Sequence, residues 1–155
     1  MRKILIFMIT LSMSVIAYSQ EYIISSAGIG KSGNYNIKVV VSTKKKPKSN
    51  LEDLVMRYAV HGVLFRGIMS TDGYGEHKPL IENPGIEQSR SDFFKPFFEE
   101  GQYKKYASIV ETTLSTMKNK QTKRVETSAN VLVDKETLLK DLEKAGVVKG
   151  FSNLW

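Results

Sequence analysis

Residues 35–65, which read YNIKVVVSTKKKPKSNLEDLVMRYAVHGVLF, decide the fold of this 155-residue chain. Apolar and polar side chains alternate over residues 35–42, which is the period-two pattern of a strand that buries one face. The basic, polar residues 43–48 predict a loop. Ser49 and Glu52 then have the spacing of a capping box, and apolar residues follow at helical intervals, so an amphipathic helix is predicted next.

Gly62 is predicted to end this helix at His61, because glycine readily adopts the left-handed conformation of a C′ residue. Residues 63–65, Val-Leu-Phe between two glycines, then have the composition of a short buried strand. A strand, a helix and a second strand form a crossover that is nearly always right-handed. This pattern predicts that the two strands pair in parallel.

The following segment, residues 69–91, has no sustained period and is predicted to be the longest irregular stretch. Ser91 or Asp92 then caps a short helix rich in phenylalanine, which ends at Gly101. Its phenylalanines span too wide an arc for one buried stripe, so we expect part of this aromatic cluster to be exposed.

Residues 106–116 and 124–133 flank a polar turn and predict a β-hairpin. Asp134 caps a last helix that ends at Gly146. Residues 22–25 could add an edge strand, although the glycines after them weaken that assignment. The order β-α-β-α-β-β-α predicts one α+β domain, with a mixed sheet of about four strands and helices packed on one face.

The first nineteen residues have the pattern of a secretory signal peptide. Arg2 and Lys3 precede an apolar stretch, and Ala17 and Ser19 place small residues at the −3 and −1 positions of a cleavage site. An uncleaved anchor is the alternative, but the apolar stretch is short for a bilayer. We therefore expect cleavage after residue 19, export to the periplasm or the medium, no transmembrane anchor afterwards, and a single domain over residues 20–155.

Composition excludes several classes of function. The chain has no cysteine and two histidines, so it holds no disulfide, no lipid-bearing cysteine, no cysteine nucleophile and no three-histidine metal site. Removing Arg2 and Lys3 with the leader lowers the formal net charge from +7 to +5. A basic exported protein is expected to meet an envelope protein or an anionic envelope polymer, and nucleic acid is not an expected partner.

Two sets of residues are candidate binding sites. A run of lysines could bind anionic groups electrostatically, and it comprises Lys44, Lys45, Lys46 and Lys48. The irregular segment gives a second set, comprising Arg66, Asp72, Tyr74, Glu76, His77 and Lys78, in which a carboxylate and an imidazole lie close enough in sequence for acid/base chemistry or cation binding. The spacing matches no specific metal motif, so we assign no catalytic residue, metal or cofactor.

Two further features have simpler structural interpretations. Gly28, Gly30 and Gly33 fit the dinucleotide-binding pattern G-x-G-x-x-G, but they lead into a strand instead of opening a helix, so a turn is predicted. His61 lies at the predicted end of the first helix, where an imidazolium would interact favourably with the helix dipole.

Three stretches carry a resemblance to other proteins: AYSQ at residues 17–20, AVHGVLFRG at residues 59–67 and VLVDK at residues 131–135. They resemble uncharacterised small secreted proteins of Bacteroidetes-type bacteria. The element order also resembles periplasmic envelope-accessory domains with a β-α-β-α-β-β core, many of which are lipoproteins. By this analogy of fold, the resemblance implies an exported protein that works at the envelope.

These observations lead to two hypotheses of function. The first is an exported, non-catalytic module that binds an envelope component or a partner protein. The alternative is a small hydrolase or metal-dependent enzyme that uses the loop of residues 69–91. A cleft around His77 would be required for the second.

Overall fold

The elements follow one another along the chain as two strands, three helices and a 3₁₀ helix, three further strands and a last helix. The computed structural model describes residues 21–28, 30, 33–71, 73–110 and 112–149. Its elements are β1 (Glu21–Ser26), β2 (Asn34–Thr43), α1 (Leu51–Phe65), α2 (Ile86–Ser89), α3 (Ser91–Glu99), the 3₁₀ helix (Gln102–Tyr106), β3 (Ala107–Ile109), β4 (Ser115–Lys118), β5 (Val125–Asp134) and α4 (Lys135–Lys144).

The five strands form one antiparallel sheet in the order β1-β2-β5-β3, with β4 also paired to β5. Strand β3 pairs with residues 131–133 and β4 with residues 125–128, so both follow the same edge of β5. The sheet is therefore four strands wide, and the predicted hairpin is confirmed with an interruption between β3 and β4. The predicted α+β class is confirmed, whereas the predicted mixed sheet is not, because the five strands pair only antiparallel.

The core lies between one face of the sheet and the helices. Alternate residues of the central strands, including Ile37, Val39 and Val131, are fully buried against the buried side chains of α1 and α4. On the opposite face Ile23 is 55% exposed and Lys38 is exposed. Helices pack on one face, as predicted from the alternation.

The prediction that α1 ends at Gly62 and that a strand follows is wrong. Helix α1 continues to Phe65, and Val63 and Leu64 are buried on its inner side. The left-handed residue is Gly67, with φ of 81°. A parallel contact does occur after the helix, but it is one bridge between Met69 and Ser25 of β1, not a strand paired with β2.

The starts of α1 and α4 agree closely with the predicted caps, whereas the predicted cap of α3 by Ser91 or Asp92 is wrong, because the cap residue is Arg90 and no described side chain caps this helix. Asn50, one residue after the predicted Ser49, caps α1 by accepting a hydrogen bond from the amide of Glu52 at 2.8 Å. Asp134 caps α4 as predicted, accepting from the amide of Thr137 at 3.0 Å, and Gly146 is left-handed with φ of 66°.

Two other expectations need correction. In α3 the side chains of Phe94, Phe97 and Phe98 are buried and Phe93 is partly buried, so the cluster belongs to the core and does not form an exposed patch. The irregular segment contains α2 and is also tied to α1, since the carbonyls of Val63 and Leu64 accept from the amides of residues 80 and 81. These bonds satisfy carbonyls that a helix end leaves free.

No helix in the described part of the chain is long and apolar enough to cross a bilayer. The predicted signal peptide, residues 1–19, lies outside the described residues.

Candidate functional site

The two candidate sets of residues lie at opposite ends of the sheet. Strand β2 has 10 residues and so spans roughly 30 Å, from Asn34 at one end to Thr43 at the other. We call the end near Thr43 the basic end. The end near Asn34 holds an aromatic cleft, and α1 runs between the two.

The basic end combines two loops that are distant in sequence. Thr43 pairs with Val125, and Val125 pairs with Lys118, so the lysine-rich loop after β2 lies at the same end of the sheet as the turn between β4 and β5. All seven lysines are exposed and Arg124 is partly buried. The basic end comprises Lys44, Lys45, Lys46, Lys48, Lys118, Lys120, Lys123 and Arg124.

Hydrogen bonds hold the two loops in place. The Arg124 guanidinium donates to the hydroxyl and the carbonyl of Ser42, at 2.8 and 3.0 Å. The Asn119 carboxamide accepts from the amides of residues 121 and 122 and donates to Glu126 at 2.9 Å. Glu21 lies 3.7 Å from Arg124, so the carboxylates of Glu21 and Glu126 both have partners other than the lysines.

The aromatic cleft lies where β1 ends and β2 begins, and it encloses about 340 Å³. Its walls come from the described glycines between β1 and β2, from the start of β2, and from Ile68 and residues 74–77. The described residues that line it are Ser26, Gly28, Gly30, Gly33, Asn34, Tyr35, Asn36, Ile68, Tyr74, Gly75 and His77. The three glycines of the apparent dinucleotide motif thus line one wall of the cleft.

Aromatic rings give this cleft its character. The rings of Tyr35 and His77 have centroids 4.9 Å apart, and the Lys135 ammonium lies 5.4 Å from the centroid of Tyr35. Tyr74 is 41% exposed. The carboxamide oxygen of Asn36 is buried and has no hydrogen-bond partner among the described residues.

The structure places only some of the residues predicted for this loop in the cleft. Tyr74 and His77 line the cleft, whereas Glu76 and Lys78 are exposed on the loop beside them. Asp72 lies outside the described residues. Arg66 has a different position, because its guanidinium donates to the carbonyl of Tyr22 at 3.0 Å and lies 4.0 Å from the centre of the Tyr22 ring. Arg66 therefore secures β1 against the end of α1.

A hydrogen-bonded chain of three side chains lies beside Arg66. The Tyr22 hydroxyl is 2.5 Å from Nδ1 of His61, and Nε2 of His61 is 3.1 Å from Glu87. Burial raises the pKa of Tyr22, with Arg66 opposing this effect. Burial also lowers the pKa of His61, and Glu87 opposes that shift. A buried phenol with a raised pKa is a poor nucleophile at neutral pH. We therefore interpret the hydrogen bonds between these three side chains as structural contacts.

Sequence reasoning did not identify several residues of both sites. The basic turn at residues 118–124 was visible as a polar, lysine-rich hairpin tip, but its proximity to the lysine run depends on the pairing of β2 with β5. Tyr35 and Asn36 had no local signal beyond their place in a strand. Among the described residues, no group of three histidine, aspartate or glutamate side chains could hold a metal ion.

No protein-family model matches this chain, and comparisons with curated proteins and with solved structures found no match either.

Proposed function

We propose that this chain is an exported, non-catalytic module that binds an anionic polymer of the cell envelope through its basic end. The observation that carries the proposal is the convergence of seven exposed lysines and Arg124 from two loops onto one end of the sheet. Such a cluster attracts a chain of phosphates or carboxylates more strongly than it attracts a single anion, because several cations act on neighbouring charges.

The arrangement favours binding over chemistry at this end. Lysine ammonium groups on loops are strongly hydrated point charges that attract anions without fixing one geometry. Two carboxylates, those of Glu21 and Glu126, lie among eight cationic side chains, so this end keeps a surplus of positive charge. Affinity is therefore expected to fall steeply as salt screens these exposed charges.

Export is the second part of the proposal and is supported by the pattern of residues 1–19. Cleavage after Ser19 would leave all of β1, Glu21–Ser26, in the mature protein. We expect protein secreted by its native host to begin at Gln20. Intact-mass measurement of that material checks this, and secreted protein that still contains Met1 would contradict it.

The binding experiment compares two triple variants with the same change in net charge. One carries Lys45→Glu, Lys46→Glu and Lys120→Glu at the basic end. The control carries Lys78→Glu, Lys95→Glu and Lys140→Glu, three other exposed lysines. Binding of polyglutamate and of linear polyphosphate is measured by titration at several salt concentrations.

We expect the basic-end variant to lose about tenfold or more in affinity and to show a weaker salt dependence, and the control to lose about threefold or less. Equal losses in both variants would mean that net charge alone drives binding, which contradicts a specific site. Vesicles with anionic headgroups form a third arm. Tight binding to vesicles without binding to either soluble polymer would replace the proposed polymer with a membrane surface.

A further inference from the structure

The aromatic cleft has no part in the proposed polymer site. It lies at the other end of β2, roughly 30 Å away over the 10 residues of that strand. Its position, lining and chemistry differ from those of the basic end, and its ligand can be argued independently of the proposed function.

Backbone hydrogen bonds hold the wall formed by residues 68–77 in place. Ile68 and His77 exchange two backbone bonds, of 2.7 and 3.0 Å. Met69 pairs with β1, donating to Ile24 at 3.2 Å and accepting from Ser26 at 3.0 Å. The Thr71 hydroxyl donates to the carbonyl of Ser26 at 2.6 Å. The cleft is therefore largely formed before any ligand arrives, which lowers the entropy lost on binding.

A glycine allows the wall to approach the end of α1. Gly67 has φ of 81°, and a Cβ atom there would lie 2.6 Å from the carbonyl oxygen of His77. A residue with a side chain at this position would therefore push His77 away from Ile68. The backbone places the His77 ring 4.9 Å from the ring of Tyr35.

The lining of the cleft indicates a neutral ligand. The described residues that line it carry no carboxylate and no ammonium group, and the two charged side chains at its edge have opposite signs, Lys135 beside the Tyr35 ring and Glu136 beside Gly33. They instead offer three rings, those of Tyr35, Tyr74 and His77, together with amide and hydroxyl groups. Aromatic walls with a few polar groups are typical of sites for small organic ligands, and about 340 Å³ is within the lower part of their size range.

Asn36 indicates what the ligand should donate. Its carboxamide nitrogen is 3.4 Å from the carbonyl of Ala27, while its buried oxygen has no partner in the part of the chain that the structure describes. A buried acceptor without a donor is unfavourable, so a ligand hydroxyl that reached it would relieve that cost. Ring faces for an apolar surface and an acceptor for a hydroxyl together match a sugar.

We propose that the aromatic cleft binds one neutral sugar residue. The apolar face of the sugar, which presents its C–H groups, packs against Tyr74 and His77. One of the sugar hydroxyls donates to the carboxamide oxygen of Asn36. The aromatic side chains supply most of the contact area, and Asn36 supplies orientation.

The test is a titration of the full mature chain with neutral sugars. Binding is monitored through the amide chemical shifts in NMR spectra. The probes are glucose, N-acetylglucosamine and its disaccharide, with adenosine and the dipeptide Ala-Ala as probes of other chemistry. We expect saturable shifts at Ser26, Asn36 and His77 with at least one sugar. No saturable shift with any sugar up to about 10 mM would overturn the proposal.

Two substitutions at Tyr74 separate stacking from hydrogen bonding. Tyr74→Ala is expected to weaken sugar binding about tenfold, whereas Tyr74→Phe keeps the ring and should change affinity by about threefold at most. Because Tyr74 is 41% exposed, neither change threatens the fold. Met117→Ala, at a residue 67% exposed on β4, is the matched control and should not affect binding.

Other outcomes overturn the proposal. If adenosine or Ala-Ala saturated the cleft and no sugar did, the ligand of this site would belong to another chemical class. Equal affinity of Tyr74→Ala and the unmodified protein would show that the sugar binds elsewhere. The triple lysine variant of the basic end should retain sugar binding, so failure of the polymer proposal and failure of this one are distinguishable.

Discussion

His61 shows how one partly buried residue joins three elements. It lies within α1, its Nδ1 atom meets Tyr22 of β1, and its Nε2 atom meets Glu87 of α2. A neutral imidazole with its proton on Nε2 satisfies both contacts, since Tyr22 donates to Nδ1 and Nε2 donates to Glu87. Burial lowers the pKa of His61 below its ordinary 6.5, and the neutral form is therefore the one that fits the structure at pH 7.

This contact predicts that the free energy of unfolding decreases as the pH is lowered below 6.5. Burial is the main cause of the lowered pKa, Arg66 and Arg57 lower it further, and Glu87 acts in the opposite direction. The unfolded chain then binds more protons than the folded one below pH 6.5, so the contribution of His61 is present above 6.5 and is lost as pH falls. Urea melts between pH 7.5 and 5 should show this decline, at no more than about 1.4 kcal/mol per pH unit.

A histidine variant checks the assignment. His61→Gln removes the titrating ring and should flatten the decline seen in the unmodified protein. Asp141, whose pKa is lowered by its hydrogen bond from Lys105, stabilises the fold above its ordinary pKa of 3.8, and this contribution is lost only at more acidic pH. A decline that persists in His61→Gln would assign the effect to another group.

At the scale of elements, local patterns predicted most of the secondary structure. Alternation predicted β2 and β5, and the Asp134 cap with its leucines predicted α4, because each pattern lies within one short segment. The end of α1 was mispredicted because glycine has two uses that look alike in sequence. Gly62 could end a helix or allow a close approach, and only the position of Ile24 on β1 decides between them.

That close approach predicts the effect of adding a methyl group. A Cβ atom at position 62 would lie 2.5 Å from Cδ1 of Ile24 and 3.1 Å from its Cγ atoms. Ile24 is 3% exposed and has little room to move. Gly62→Ala should therefore lower the free energy of unfolding by about 1 to 2 kcal/mol, even though alanine favours a helix by about 1 kcal/mol.

Denaturant melts of two further variants test whether the contact with Ile24 causes this loss of stability. Ile24→Val removes the nearest atom, so Gly62→Ala should be less harmful in that background than alone. Gly75→Ala, with no atom within 4 Å of the added carbon, should be close to neutral. If Gly62→Ala stabilised the protein, β1 would have moved to accommodate the methyl group. The helix propensity of alanine would then outweigh the close contact with Ile24.

The segment of residues 68–77 shows a different limit of sequence reasoning. The lack of a sustained period predicted an irregular stretch over residues 69–91, yet isolated bridges join Ile68 to His77 and Met69 to Ser25. An isolated bridge has no period that a sequence pattern could reveal. Its partners are also brought together only by the preceding helix.

Amide exchange should follow these bridges residue by residue. The amides of Ile68, Met69 and His77 donate to backbone carbonyls, so we expect them to exchange at least about tenfold more slowly than those of Gly75 and Glu76. Hydrogen exchange followed by NMR gives the comparison. Uniformly fast exchange across residues 68–77 would show that the wall of the cleft opens readily in the free protein.

For the whole molecule, the sequence predicted four of the eight residues of the basic end and two of the eleven described residues that line the cleft. The lysine run after β2 and the pair of Tyr74 and His77 were identified as candidates because their composition is local. The lysines of the hairpin tip and the glycine wall of the cleft join them only through the register of β1, β2 and β5. Strand pairing between distant segments is not encoded in any one of them, which is why the sites were incomplete.

The gathering of positive charge at one end should itself reduce stability. Seven exposed lysines on two adjoining loops repel one another, and folding brings them closer than they are in an extended chain. Combining Lys45→Gln, Lys46→Gln and Lys120→Gln should therefore raise the melting temperature by about 1 to 3 °C at low salt. Added salt should raise the melting temperature of the unmodified protein more than that of this variant, because less repulsion remains to be screened.

A lysine outside the basic end provides the opposite control. Lys105 lies 2.8 Å from Asp141 and 4.7 Å from the centre of the Tyr106 ring, so Lys105→Gln removes an attraction and should lower the melting temperature. Thermal melts at low and high salt compare the two variants directly. If neutralising the basic end also lowered the melting temperature, its lysines would be stabilising the fold. Their concentration there would then have a structural explanation, and the polymer proposal would depend on the binding titrations alone.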